Sequence, residues 1–283
     1  MDRGGEVTEC GPPLNLKQAA LRLGVHYMTV YRYVRQGRLP ARQEGTVWIV
    51  DAADVERFLA ERDAAPAHPA AVDWQERVRI HLVMGDEVEA WAAVDQALAS
   101  GVTPQRAFLD LLRGAVVDVG RQVDAGEASP ADVHIATVTA QRVAVRLGAR
   151  FRRRRRSRGH VVLGAPPGEL HDLPIAIIAD ILRLDGFTVL ELGADVPPEA
   201  FAVAAERAER PTVVGLGVTR VDHIESAREV VAAVRAAAPD VPVLVGGQAV
   251  RSAEVAALLG VDAWADGETI VATVSELLLP PSP

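Results

Sequence analysis

From His160 to the end, the chain repeats one pattern five times: a short apolar run followed by an amphipathic helical segment. The runs are HVVLGA, FTVLEL, TVVGLGV, VPVLVGG and VDAWAD. Between and after them lie IAIIADILRLDG, PEAFAVAAERAER, HIESAREVVAAVRAAA, VRSAEVAALLG and ETIVATVSELL. Strands that are apolar along their whole length are buried on both faces, and strand–helix alternation produces a parallel sheet covered by helices on either side. The pattern therefore predicts a doubly wound, five-stranded parallel sheet over residues 158–283. Ligands of such sheets sit at the carboxyl ends of the strands. The loops there are GAPPGELHDLP, GADVPPEA, GVTRVDH, GGQAV and ADGET, so His171 falls on the ligand edge, in the first loop.

Upstream, residues 73–157 carry apolar positions at three- and four-residue steps in four successive segments. Asp86, Thr103 and Ser129 stand at helix starts, Pro104 and Pro130 in first turns, and Gly85, Gly101 and Gly126 at ends. Four helices with short turns predict an up-down bundle, with Trp74, Trp91 and Phe108 in its core. The arginine run that closes it, ARFRRRRRSRG, reads as a solvated face at a helix C-terminus, where the dipole favours positive charge. Residues 62–72, RDAAPAHPAAV, read as an Ala/Pro linker.

The first 61 residues differ in charge. The chain has a formal net charge of −8, which argues against non-specific nucleic-acid binding by the whole molecule. Residues 14–50, however, hold six basic residues and a single acid, Glu44. LNLKQAALRLGVHYMTVYRYVRQGRL reads as two helices about a turn, the first capped by Asn15 and ended by Gly24, the second running from His26 or Tyr27 to Gly37. Val30, Tyr33 and Val34 take its core face, which leaves Tyr27, Thr29, Tyr31, Arg32 and Arg35 outward. LPARQEGTVWIV then reads as a hairpin turning at Glu44–Gly45, and Asp51 caps a third helix. This is the layout of a winged helix-turn-helix that binds double-stranded DNA, with Arg42 on the wing reaching phosphate. The segment resembles the excisionase and MerR-type DNA-binding domains through Val25, Thr29, Val30, Tyr31, Arg32, Gly37, Leu39 and Pro40.

One cysteine, Cys10, makes no internal disulfide and suits a reducing compartment. No apolar run approaches a membrane span, and MDRGGEVTECGPP has no signal pattern, so a cytoplasmic protein is expected. The ligand-edge loops hold no dinucleotide fingerprint, P-loop, nucleophile elbow or zincin motif, so no catalytic activity is expected.

A bundle ahead of an α/β domain with Glu169-Leu170-His171-Asp172-Leu173-Pro174 in the first loop resembles the cobalamin-binding modules of methionine synthase and its relatives, whose loop reads D/E-x-H-x-x-G. With the MerR-type segment in front, the chain resembles the CarH-type cobalamin-dependent photoreceptor repressors. That resemblance implies a flavodoxin-like α/β domain, His171 as lower cobalt ligand and Glu169 as the carboxylate that orients it. It further implies that LGADVPPE (192–199) and the Gly246–Gly247 pair serve the site, and that a homo-oligomer, dimer or tetramer, represses in the dark. The departures are specific. Pro174 replaces the loop glycine, and Gly217-Val218-Thr219 replaces S-x-L beside the cofactor's nucleotide tail. In the bundle, Val123 and Val133 stand where the photoreceptors have Trp and Glu over the cofactor's upper face, while His134 is retained. These changes argue against an adenosyl upper ligand. They leave room for another, or for a non-covalent bilin such as biliverdin, as in the photocobilins; Arg220 and His223 read first as solvated helix-start residues, with contact to its propionates as the alternative. Two further readings remain open from sequence: a corrinoid-carrying methyltransferase subunit, and a regulator whose sensor domain has lost its ligand.

Overall fold

The computed structural model describes residues 12–25, 27–35, 37–45, 47–64, 72–151 and 156–279, which divide into two compact units meeting at Val72–Asp73. Cys10, His26, most of the Ala/Pro linker and Arg152 to Arg155 lie outside the described residues.

In the first unit, β1 (Leu14–Asn15) leads into α1 (Leu16–Leu23), α2 (Tyr27–Arg35), the hairpin β2 (Arg42–Glu44) and β3 (Val47–Val50), and α3 (Ala52–Ala64). Asn15 and Gln18 form a reciprocal capping box, each side chain accepting the other's backbone N–H at 3.0 Å, and Gly24 ends α1 at φ 63°. Leu16, Leu23, Val30, Leu39 and Val55 make the core. Three features differ from the sequence reading. Leu14–Asn15 pairs antiparallel with β3, giving a third strand too short to carry a pattern. Tyr31, expected outward, is half-buried and packs on the core, because its ring is large enough to reach back over Val30 and Val34. The third helix also takes the first residues of the expected linker, continuing to Ala64.

The second unit opens with α4 (Trp74–Val83) and α5 (Glu87–Ala99), capped by Asp73 and Asp86. A continuous helical stretch follows over residues 104–124, in which α6 (Pro104–Arg106) and α7 (Gly114–Asp124) flank a π-helical segment, Ala107–Arg113. The bundle ends with α8 (Pro130–Phe151). The sheet then alternates β4 (His160–Gly164), α9 (Asp172–Leu184), β5 (Thr188–Gly193), α10 (Pro198–Arg207), β6 (Thr212–Gly217), α11 (Ile224–Ala237), β7 (Val243–Gly246), α12 (Ala253–Leu259), β8 (Ala263–Trp264) and α13 (Ile270–Leu277). All pairings in it are parallel, in the order β5-β4-β6-β7-β8, the flavodoxin-like order.

Side chains alternate across the sheet. Val161, Leu163, Val213 and Leu244 face one core, with α9 and the bundle; Val162, Val214, Leu216 and Val245 face the other, with α10, α11 and α12. Bundle and sheet, read from sequence as 73–157 and 158–283, share a core within the second compact unit that runs from Val78 to Val274. The seam is close: Asp180 of α9 occupies the space a side chain at Gly148 of α8 would need, its Oδ2 only 2.4 Å from that Cβ position. Among the described residues, no helix is long and apolar enough to cross a membrane.

Candidate functional site

The strand order reverses direction between β4 and β6, so the loops that follow these two strands face each other at the sheet's carboxyl edge. The first carries Glu169 and His171, the second Thr219 and His223. Glu169 is fully buried. Its Oε2 accepts hydrogen bonds from the Thr219 backbone N–H (2.8 Å), the Thr219 hydroxyl (2.5 Å), the Arg220 N–H (3.2 Å) and the His223 Nδ1 (3.2 Å). Its Oε1 receives the His171 N–H at 3.2 Å and pairs closely with the His171 ring at Nδ1.

Burial by itself raises a carboxyl pKa. The Thr219 hydroxyl, the His171 ring, the Thr219 N–H and the His223 ring together outweigh it and bring Glu169 down from its ordinary 4.5 to about 2. The carboxylate is therefore charged, and it fixes the imidazole tautomer. Nδ1 of His171 carries the proton toward Glu169 and Thr219 Oγ1 (2.8 Å), which leaves the Nε2 lone pair free. Nε2 has no hydrogen-bond partner among the described residues, and the side chain is 55% exposed.

The loop is braced from the next crossover. Asp195, in the left-handed region at φ 55°, accepts the Gly168 N–H at 2.8 Å and donates its own N–H to the Glu169 carbonyl at 2.9 Å. His171 is also the N-cap residue of α9, yet its ring makes no capping bond because it is committed to Glu169. Pro174 sits in the first turn of α9, where its missing N–H costs nothing.

Beside His171 opens a cavity of about 370 Å³. Its walls are mainly apolar: Leu163, Ile175, Ile178, Leu216 and Trp264, with Pro174 near His171. Of the site residues expected from sequence, His171, Gly217, Thr219, Gly246 and Gly247 line it, with Glu169 behind His171. Gly246 and Gly247 are needed by the fold itself: a Cβ would lie 2.5 Å from the Ala265 carbonyl oxygen at the first and 2.2 Å from that of Val218 at the second, whereas at Gly217 it would meet only the tip of the Ile175 side chain.

Val123, Val133 and His134 do not line the cavity. Val123 and Val133 are half-buried toward the far end of α7 and the first turns of α8, and His134 is exposed. The bundle's wall is instead Leu109, Arg113 and Val117. Leu109, Arg113 and Val117 follow at four-residue steps along one face of this helical stretch, and six residues on from Val117 the α-helix has turned away. Arg220 and His223, read first as solvated and alternatively as near propionates, are engaged with Asp222 (2.7 Å) and Glu169.

Sequence reading missed Thr219 and His223 as supports of Glu169. The signal was available in the sheet order, which sets the GVTRVDH loop against the GELHDLP loop. It also missed Gln141 of α8, which donates to Asp172 at 3.4 Å, next to His171. Among the described residues, no group of three or more His, Cys, Asp and Glu side chains is arranged to hold a metal ion. A lone imidazole does not retain a bare ion, so the site suits a metal that brings its other ligands with it.

In the first unit, Tyr27 and Arg35 are exposed on α2, and Thr29 is half-buried. Only the backbone of Arg32 is described, and it lies within α2. Arg42 on the hairpin is exposed but tied to Glu44 (2.9 Å) and Asp51 (2.8 Å).

Comparison with known proteins fits this geometry. Residues 159–275 match a family model described as a B12 binding domain, residues 74–162 match a second model of the same description, and residues 13–63 match a helix-turn-helix domain. Trimethylamine corrinoid protein 1 of Methanosarcina acetivorans is 27% identical over 204 residues, 69% of this chain and 92% of that protein. Dimethylamine corrinoid protein 2 of Methanosarcina mazei is 30% identical over 124 residues, 43% of this chain and 57% of that one. The structure of the Methanosarcina barkeri monomethylamine corrinoid protein has the same fold, with a TM-score of 0.62 at 17% identity, over 72% of this chain and 98% of that one. The matches support a chain that joins a DNA-binding domain to a cobalamin-binding module.

Proposed function

We propose that this protein is a cobalamin-responsive transcriptional regulator in which His171 Nε2 would be the protein's ligand to cobalt. The observation that carries the reading is the free Nε2 of an imidazole whose other nitrogen is held by a buried, ionised Glu169, at the rim of an apolar cavity. The residues fit the cofactor. The His171 imidazole would hold the cobalt, the corrin would bring its other ligands, and the apolar walls would suit the cofactor's apolar surface.

Bound there, cobalamin would supply a cobalt centre that responds to ligand exchange and to light. The chain's own residues do the rest. Thr219 and His223 hold Glu169, Glu169 orients His171, and the apolar walls exclude water from the cavity. The Asp172–Gln141 hydrogen bond and the Asp180–Gly148 contact tie the histidine loop and α9 to α8. A displacement of His171 therefore bears on the bundle, and through assembly on how many helix-turn-helix units act together. The reading assigns the chain regulation by light or ligand, with repression in the dark, and no catalytic step.

The relatives are named as corrinoid proteins of methylamine metabolism, which carries weight toward a carrier subunit. A helix-turn-helix with a basic recognition helix favours a regulator. Fluorescence anisotropy on DNA from the region upstream of the protein's own coding sequence tests it. Protein loaded with hydroxocobalamin or adenosylcobalamin is expected to differ from cobalamin-free protein in DNA affinity, and illumination to shift it again. Equal affinity in every state contradicts the reading.

A further inference from the structure

The outer face of α8 is unlike the solvated face of an ordinary bundle helix. Ala136, Val143 and Leu147 mark its buried pole. The opposite pole carries Ala131, Ile135, Val138, Arg142, Val145 and Ala149, all exposed. Ile135 is 42% accessible, Val138 50% and Val145 69%. A helix pole facing water is normally polar, yet here five of the six positions are apolar. The steps between them are four, three, four, three and four residues, the a/d spacing of a helix–helix seam.

We propose that this seam is a two-fold interface in which α8 packs antiparallel on α8 of a second copy of the chain. The spacing reads the same in both directions, so a two-fold axis midway along the seam sets Ala131 against Ala149, Ile135 against Val145 and Val138 against Arg142. Small residues meet small ones at the ends, and β-branched residues meet within. An isologous contact demands this self-complementarity.

Charge selects the antiparallel arrangement. Asp132, which accepts the Ser129 N–H at 2.7 Å, lies beside the N-terminal half of the seam, and Arg146, over the Trp91 ring at 4.3 Å, beside its C-terminal half, so antiparallel helices bring opposite charges together. A parallel pair would stack Arg142 on Arg142. The one charge within the seam brings its own counter-ion, since Arg142 pairs with Glu87 of α5 at 3.5 Å. The inner face of the same helix holds Gln141 and Gly148 against Asp172 and Asp180, so a change at the histidine loop reaches this interface through one rigid element. A dimer of this kind presents two helix-turn-helix units to paired half-sites. The dimer itself does not depend on the cobalamin reading.

Sedimentation equilibrium of the full chain in a Cys10→Ser background, with and without hydroxocobalamin, tests the proposal. The parent is expected to dimerise in at least one state, and Val138→Asp and Val145→Asp to weaken dimerisation by more than about tenfold. Both positions lie outside the core, and unchanged circular dichroism and melting separate lost assembly from lost folding. A parent monomeric in both states, or Asp variants that dimerise like the parent, overturns it. Register is read by disulfide capture: Val138→Cys copies mixed with Arg142→Cys copies are expected to cross-link faster than either variant alone. Equal or faster capture by one variant alone rules out the antiparallel register.

Discussion

Thr219 donates both its backbone N–H, at 2.8 Å, and its hydroxyl, at 2.5 Å, to the same oxygen of Glu169, fifty residues away in sequence. That double contact joins the loops after β4 and β6 and holds a buried carboxylate where it can orient His171. Conversion of Glu169 to Gln keeps the volume and removes the charge. An amide N–H₂ facing His171 Nδ1 forces the ring proton onto Nε2, the wrong tautomer for ligation. Glu169→Gln is expected to weaken histidine ligation of cobalt, read from the absorbance of bound hydroxocobalamin. It is also expected to cost about 2–3 kcal/mol of stability, since charge-assisted bonds to a buried group are lost.

The depressed Glu169 pKa gives a defined pH dependence. Folding lowers it from 4.5 to about 2, so its stabilising contribution is present above 4.5 and fades as pH falls toward 2. The contribution is about 3 kcal/mol at neutral pH. Chemical denaturation from pH 7 to 3 is expected to show the gap between the parent and Glu169→Gln narrowing below about 4.5.

Gly247→Ala tests the strand-end packing. At φ 108° a side chain is strained, and its Cβ would lie 2.2 Å from the Val218 carbonyl oxygen, a backbone atom that cannot swing aside. The variant is expected to lose about 3 kcal/mol or more and to melt well below the parent, measured calorimetrically.

On the DNA-binding unit, Arg35 and Arg42 should differ. Arg35 is exposed on α2, whereas Arg42 is held by Glu44 and Asp51. Arg35→Ala is expected to weaken operator binding and reduce the log-affinity against log-salt slope by about one. Arg42→Ala is expected to do less. Salt-titrated anisotropy compares them.

The sheet was legible because each strand segment is short and mostly apolar and each helix amphipathic, so every strand of it was found where the pattern put it. His171 was legible as a ligand-edge residue because its loop follows the first strand, and its pairing with Glu169 came from the resemblance to the D/E-x-H-x-x-G loop. Thr219 and His223 were not legible, since they act on Glu169 only once the sheet order brings two loops together. Val123 and Val133 were placed over the site by resemblance, and on the bundle side the cavity beside His171 is lined by Leu109, Arg113 and Val117. The shared core of bundle and sheet was invisible because apolar faces declare that they are buried, not against what.

The central claim is ligation by His171, and electron paramagnetic resonance of the cobalt(II) form tests it directly. Protein grown with ¹⁵N-histidine and loaded with reduced cobalamin is expected to change the axial nitrogen splitting from a triplet to a doublet, and His171→Ala to abolish that dependence on labelling. A splitting that stays a triplet in the labelled protein would mean the cofactor keeps its own base, and would contradict the account.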